Sequence, residues 1–591
     1  MFKILKRITL RELAMIVAAI LLIAVGVWLE LSIPDYMKDI TTLLQSPTVK
    51  VKDIYDPAFK MVSLSLTSLL VSVMVVFLSA RIAASFAADL RRDVFEQVMD
   101  FSRAEISHFS VPSLLTRTTN DIVQIQLFFA MGLQIIVRGP MMAIWAMTKI
   151  SGKNREWLLL TLGAVLILVV TIVALLTLIF PKQKLVQTLT DKLNGIMRES
   201  LKGMRVVRAY NAESYQEKKF DTANTELTDL NLFISRNMSL MLPMMTLVSS
   251  GLSLGVYWIG AYLISEANLP DKITIFSDMI VFSSYAMQVV IGFMMMTMIF
   301  VIMPRTMVSA KRINEVLDSQ ASLSYPEEMD SRGDTGATSH GHLVFDHVSF
   351  TYPGATKPAL EDVSFQADQG QTIAFIGSTG SGKSTLVNLL PRLYDVTEGQ
   401  ITVNGRSIKD YPREALNNLI AYIPQTAILF NGTIDSNLDF GQSLASPLSQ
   451  VDMWKALDLA QGKDFVEAKE DQLDSHVAQG GANFSGGQKQ RLAIARALAR
   501  KPEFLIFDDS FSALDYKTDK RLRQALKDHL QETTKLIVAQ RISTIMDADL
   551  ILVLDQGKVV GQGSHRDLLA SNQIYQEIAY SQLSKEELSH E

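Results

Sequence analysis

The stretch Gly377-Ser378-Thr379-Gly380-Ser381-Gly382-Lys383-Ser384 decides the fold of the C-terminal half. It follows the apolar run Thr372–Ile376 and leads into a helical pattern that opens near Thr385. A strand, a glycine-rich turn and a helix N-terminus in that order make a phosphate cradle. Glycines let backbone N–H groups curl inward, and the helix end adds a favourable dipole. In this reading Lys383 reaches the β- and γ-phosphates of ATP, and the Ser384 hydroxyl ligates Mg²⁺. Further on, Phe504-Leu-Ile-Phe507 reads as a buried strand ending in Asp508-Asp509. An apolar run closed by Asp is common, but after a phosphate loop it is a strong sign of a carboxylate for the Mg²⁺ shell.

Upstream the sequence changes character. The chain has 591 residues, of which 48% are hydrophobic, and the apolar excess lies before residue 305. The first apolar run, Leu13–Ile33, follows Lys3, Lys6, Arg7 and Arg11. At about 20 residues it can cross the hydrocarbon core of a bilayer. It exceeds the core of a secretory signal, and no small-residue cleavage site precedes Glu30, so it reads as a retained first helix. Further apolar runs near 60–80, 128–148, 157–180, 242–264 and 276–303 bring the total to six. An even number places both chain ends on one side of a cell membrane. Arg81, Arg91, Arg92, Arg103 and Arg117 between the second and third runs mark that side as cytoplasmic. Lys149, Lys153 and Arg155 dissent, in a short loop that the count puts outside. The two interior connections, 81–127 and 181–241, have mixed charge and few glycines or prolines. They are predicted as helices that continue out of the bilayer. The expected fold is thus a membrane α-helical bundle of six transmembrane helices at 1–317. A polar linker follows at 318–342, centred on Ser331-Arg-Gly-Asp-Thr-Gly-Ala-Thr-Ser339, and then an α/β P-loop nucleotide-binding domain at 343–591.

Composition removes several classes of function. A net charge of -5 gives no nucleic-acid footprint, and the absence of cysteine excludes disulfides, thiolate metal sites and cysteine nucleophiles.

Asn483-Phe484-Ser485-Gly486-Gly487-Gln488, continued by Lys489-Gln-Arg491, resembles the signature sequence of ATP-binding-cassette proteins. Six spans plus one cassette resemble the half-transporter layout of ABC exporters, so the resemblance covers nearly the whole chain. It implies that Tyr352 stacks on adenine and that Gln425 is the glutamine that touches Mg²⁺ and senses the membrane domain. Ser512-Ala-Leu-Asp515 resembles the D-loop. Ser113-Leu-Leu-Thr-Arg117 with Asp121, and Gly203–Tyr210, resemble the loops whose tips dock on cassettes. By the same resemblance, Ser485, Gly486, Gly487 and Gln488 serve ATP bound by a partner subunit. Amides opening a helix form an anion site that the chain's own ATP does not fill.

Two positions depart from the family pattern. Active members carry Glu after the Mg²⁺ Asp and His in the switch loop; this chain has Asp509 and, in Val538-Ala-Gln540-Arg541, Gln540. Asp is shorter by one C–C bond, ~1.5 Å, and a misplacement of about 1 Å can cost ~10²-fold in rate. Gln540 can donate a hydrogen bond but cannot become cationic. With a nearly intact signature, the pair resembles the degenerate-site subunit of heterodimeric multidrug exporters. That implies a second half-transporter as partner and hydrophobic small molecules as substrates. Export of a dedicated peptide or lipid, and a non-transporting ATP-binding regulator, are the alternatives; no peptidase domain precedes the first span. Methionines in Phe293–Met303, with Met244, Met245 and Met287, suit a cavity that accepts many apolar shapes as well as they suit lipid-facing filler. Arg138-Gly139-Pro140 is expected to interrupt the third span, with Arg138 snorkelling towards the cytosol and contact with substrate as the alternative.

Overall fold

The computed structural model describes residues 1–45, 50–151, 155–327, 340–441 and 448–583. Residues 328–339 of the stretch 318–342, including Ser331–Ser339, and Lys153 lie outside them. The chain divides into two compact units, Met1–Met99 with Val111–Ser319, and Asp100–Ser110 with Gln320–Glu591.

Among the described residues, six helices of the first unit are long and apolar enough to cross a membrane. They are Leu10–Leu44, Val51–Asp100, Val111–Ser151, Arg155–Lys202, Glu213–Glu266 and Asp271–Leu317, and each contains one apolar run of the sequence. At ~1.5 Å per residue the helix Val51–Asp100 reaches ~75 Å, more than twice the hydrocarbon thickness. The helical reading of 81–100, 181–202 and 213–239 therefore holds. Outward faces such as Leu66, Leu69, Leu70, Val73 and Phe77 are exposed and apolar, as contact with lipid requires. The core gathers Val27, Met142, Ala146, Trp157, Phe282, Tyr285 and Val289.

The third and sixth spans are the most extensively packed pair. Gly139 and Gly292 meet at their crossing: a Cβ on Gly292 would lie 2.8 Å from the Gly139 carbonyl oxygen. Small residues let two backbones approach this closely. The expected interruption at Arg138-Gly139-Pro140 does not occur; the helix runs through Leu133–Ser151. Arg138 also does not snorkel. Its guanidinium donates to both carboxylate oxygens of Glu30 on the first span, at 3.1 and 2.8 Å. A counter-charge inside the bundle removes the need to reach water. The dissenting Lys149 is similarly matched: it lies 2.6 Å from Asp35 of the first span, which also accepts from Tyr285 Oη at 2.6 Å. Lys38 pairs with Asp278 at 2.9 Å. Basic residues neutralised in place carry little topological signal.

The second unit contains a four-stranded antiparallel sheet and a six-stranded sheet. The first is built from β1 (Leu343–Phe350), β2 (Leu360–Ala367), β4 (Glu398–Val403) and β5 (Arg406–Ser407), in the order β2-β1-β4-β5. The second has β3 (Thr372–Gly377), β6 (Ile420–Ile423), β9 (Phe504–Asp508), β10 (Thr534–Val538), β11 (Leu550–Asp555) and β12 (Lys558–Gly563), while β7 (Gly432–Thr433) and β8 (His476–Val477) pair with each other. The order of the six is β12-β11-β3-β10-β9-β6, parallel except at the β12 edge. Every residue of β9 and β10 is buried, as a parallel sheet covered on both faces demands. Functional groups then collect where the parallel strands end.

The compact units divide the chain at other places than the expected domain 1–317. The sequence assigns Ser113–Arg117 and Asp121 to a docking tip. Those residues pack on the sixth span: Arg117 pairs with Glu315 at 2.8 Å, and Ser309 donates to Asp121 at 2.7 Å. It is Asp100–Ser110 that joins the cassette unit. Ser102 caps a short helix, Arg103–Phe109, through a reciprocal box with Glu105. Ala104 of that helix packs against the cassette core, and Ser102 Oγ lies 2.9 Å from Ser322 Oγ. The other expected tip, Gly203–Tyr210, forms the helix Met204–Ala209 in the first unit, with Tyr210 exposed.

Candidate nucleotide site

β3 ends at Gly377, and a helix begins at Lys383 after the loop Ser378–Gly382. A Cβ at Gly377 would stand 2.0 Å from the Leu554 carbonyl oxygen. Gly382, the N-cap, has φ of +103°, and its Cβ would meet Leu360 at 2.8 Å. The loop therefore needs glycine at both ends for steric reasons.

Lys383 is buried, and its ammonium donates to the carbonyls of Gly377 at 2.9 Å and Ser378 at 2.8 Å. A further contact reaches Ser381 Oγ at 3.3 Å. Burial pulls its pKa below the ordinary lysine value, against the charges of Asp509 and Asp508. An ammonium held on loop carbonyls at a helix N-terminus fits a polyphosphate.

Asp508, at the end of β9, takes a hydrogen bond on each oxygen: Ser384 Oγ on Oδ1 at 2.7 Å and Tyr422 Oη on Oδ2 at 2.9 Å. Asp509 follows in the left-handed region, φ 51°, its N–H on the Val538 carbonyl of β10. Its Oδ2 accepts from Gln425 Nε2 at 3.0 Å and from Gln540 Nε2 at 2.7 Å. Burial pushes the Asp509 carboxyl up and Asp508 adds to that, opposed by Gln425, Lys383 and Arg541. The hydroxyl of Ser384 beside the carboxylate of Asp508 suits Mg²⁺, a hard cation that completes its shell with phosphate and water. Gln425 points its amide at Asp509 here, so its expected metal contact belongs to another arrangement of that side chain.

The remaining expected residues fall into two groups. Tyr352 lies against the phosphate-loop helix, its hydroxyl 2.9 Å from Thr385 Oγ1, edge-on to Phe350 and Tyr394. Thr379 and Gly380 lie on the exposed turn of the loop. Ser485 and Gly486 are exposed at the start of the helix Gly486–Ala499. Ser485 exchanges hydrogen bonds with Gln488 in a capping box, at 3.0 and 3.3 Å. Gly486 has open space over its α-carbon. Asp515 caps Tyr516–His529 through Thr518, whose hydroxyl and amide hold its carboxyl below the usual range. Phe484, in place of the usual Leu, is buried edge-on to Phe465. Sequence reasoning missed Tyr422. Its signal was a hydroxyl in an otherwise apolar strand, Ile420-Ala-Tyr-Ile423.

Comparison with known proteins agrees with this geometry. Residues 360–512 match the family described as ABC transporter, and residues 13–294 match the ABC transporter transmembrane region. An uncharacterized ABC transporter ATP-binding protein of Mycobacterium tuberculosis is 40% identical over 507 residues, 86% of this chain and 85% of its own. The ATP-dependent lipid A-core flippase of Pseudomonas aeruginosa is 32% identical over 513 residues, 84% of this chain and 80% of its own. Among solved structures, a bacterial Atm1-family ABC exporter with ATP bound superposes with a TM-score of 0.79. It is 23% identical, with 97% of this chain and 99% of that one covered, a likeness of fold. Bundle, cassette and sequence agree: the chain belongs to the ABC transporter family.

Proposed function

We propose that this chain is one subunit of a heterodimeric exporter of hydrophobic, multidrug-type compounds, binding ATP at a site of its own that turns over slowly. The observation that carries this is the double engagement of Asp509. A carboxylate one methylene short, with Gln425 and Gln540 both donating to one oxygen, is poorly placed to polarise an attacking water. In this reading Gly377–Thr385 cradles the phosphates, Lys383 leaves the loop carbonyls for them, and Tyr352 supports the adenine. Ser384 and Asp508, joined by Gln425, would hold Mg²⁺, which when bound neutralises phosphate charge. Gln540 orients the γ-phosphate without carrying charge. Ser485 and Gly486, exposed at the start of their helix, serve the partner's ATP.

The test is a ranking. Losing one aimed donor at a developing charge costs ~10²–10³ in rate. In the reconstituted pair, Ser485→Ala or Gly486→Asp should cripple phosphate release and dye efflux, while Asp509→Asn leaves most of both. The opposite ranking would make this chain's own site the engine and end the heterodimer reading.

A second reading is favoured by the flippase relatives and by one groove of about 400 Å³ between the third, fourth and sixth spans. Its lining of Ile135, Ile136, Pro140, Val173, Phe293 and Met296 is apolar and suits the tail of a lipid as well as a drug. Met294 and Met298 are exposed elsewhere on the sixth span and Met245 is buried, so the methionines do not form one surface. Headgroup-labelled lipid that moves between leaflets on ATP addition, without dye efflux, would select this reading.

A further inference from the structure

We propose that Tyr422 is a positioning residue for the metal-binding carboxylate, holding Asp508 in the orientation that receives Mg²⁺. The inference rests on the reading above, that Ser384 and Asp508 hold the Mg²⁺ of bound ATP.

β6 runs parallel to β9 with Tyr422 opposite Ile506 and Ile423 opposite Phe507. The tyrosine thereby reaches along the sheet to Asp508, two residues beyond Ile506. Its neighbours Ile420, Ala421 and Ile423 are buried and apolar, and Tyr422 supplies the strand's polar side chain. Asp508 is itself buried, so each of its oxygens needs a donor. Ser384 supplies one at 2.7 Å and Tyr422 the other at 2.9 Å.

These two donors differ in what metal binding does to them. The Ser384 oxygen is itself a ligand, so its hydrogen bond to Asp508 is redrawn when the cation arrives. Tyr422 is not a ligand, and its bond to Oδ2 can persist before and after. Without it, Oδ2 is a buried oxygen lacking a donor, and the carboxylate is free to rotate away from Ser384. Partners of metal ligands that fix orientation in this way typically account for 10–100-fold in metal affinity. Tyr422→Phe is the clean perturbation, since it removes the donor and keeps the ring that packs on the sheet.

The experiment measures binding of a fluorescent ATP analogue to the full-length chain in lipid nanodiscs, with saturating Mg²⁺ and with a chelator. Expected for Tyr422→Phe is a loss of about tenfold in the Mg²⁺-dependent gain in affinity, with Mg²⁺-free affinity unchanged. Asp508→Asn is the reference and should abolish the gain. If Asp508→Asn abolishes it and Tyr422→Phe does not reduce it, the positioning role is wrong while the site reading stands. If Tyr422→Phe weakens binding equally with and without Mg²⁺, the tyrosine is only structural and the proposal fails. If Asp508→Asn changes nothing, the metal-site reading fails and takes this inference with it.

Discussion

Lengthening Asp509 to Glu should restore less hydrolysis than the missing methylene alone suggests. The Asp509 Oδ2 is fixed between two amide donors, Gln425 at 3.0 Å and Gln540 at 2.7 Å. One added C–C bond moves the carboxylate by ~1.5 Å. Hydrogen bonds of this kind hold over about 2.7–3.2 Å, so both cannot survive the move. A bond to a charged group contributes about 1.5–3 kcal/mol. A hundredfold gain from correct placement is worth about 2.7 kcal/mol, so one lost bond offsets much of it. Asp509→Glu alone should therefore raise turnover at this site by less than about tenfold. Gln540→His removes the tighter of the two donors and supplies a group able to carry charge towards the γ-phosphate. The double variant should approach ~10²-fold, more than the product of the single effects, because Gln540 donates directly to the Asp509 carboxylate and the two are coupled. The assay is single-turnover phosphate release from the proposed heterodimer, with the catalytic Glu of the proposed partner neutralised. A double variant no faster than the better single one would refute the argument that Gln540 holds Asp509 back.

Three further outcomes are expected. Glu30→Gln leaves Arg138 without its counter-charge among apolar helices and should cost about 2–3 kcal/mol; Glu30→Gln with Arg138→Met should recover most of the melting temperature in nanodiscs, and a double variant as unstable as the single would count against the pair. Arg496, whose pKa burial lowers to about 10, donates to the Asn437 carbonyl, the Asn437 side chain and the Ile428 carbonyl at 2.7, 2.7 and 3.0 Å, beneath Phe430 and Phe440. Arg496→Lys cannot reproduce that fork and should destabilise the cassette by about 2 kcal/mol, read as an earlier thermal transition; an unchanged transition would refute it. His347 is raised above 6.5, first by its hydrogen bond with Asp362 and then by that charge. Its contribution is complete below 6.5 and is lost as pH rises through the raised value, so the melting advantage over His347→Gln should be present near pH 6 and gone near pH 9. An advantage that grows with pH would reverse the assignment.

The parts legible in the sequence were those governed by local rules. Six apolar runs long enough to span became six long helices, and a strand, glycines and Lys383-Ser384 became a phosphate loop. What stayed hidden depends on contacts distant in sequence. Arg138 read as a liability because Glu30 lies far away in the chain, and Gly139-Pro140 read as a break because Gly292, which needs the small residue, is on another span. Lys149 argued against the topology until Asp35 was seen to neutralise it. In the nucleotide site, residue identities foretold who would gather but not how they pair. Nothing in the sequence says that Gln425 and Gln540 share one oxygen of Asp509, or that a strand tyrosine secures Asp508.

The short helix Arg103–Phe109 has a consequence in time. Asp100–Ser110 belongs to the cassette unit, yet a ribosome makes it long before the strands it packs against. At about 5–20 residues per second, the rest of the chain takes roughly 25–100 s to follow. Ser102 has no Ser322 to meet until residue 322 is made, and Ala104 has no finished core to cover until the last strands follow. The reciprocal cap between Ser102 and Glu105 lies wholly within the segment, so it can hold the first turn while the platform is still being synthesised. A cassette translated from residue 320 would face the reverse problem, a finished surface whose covering helix never arrives.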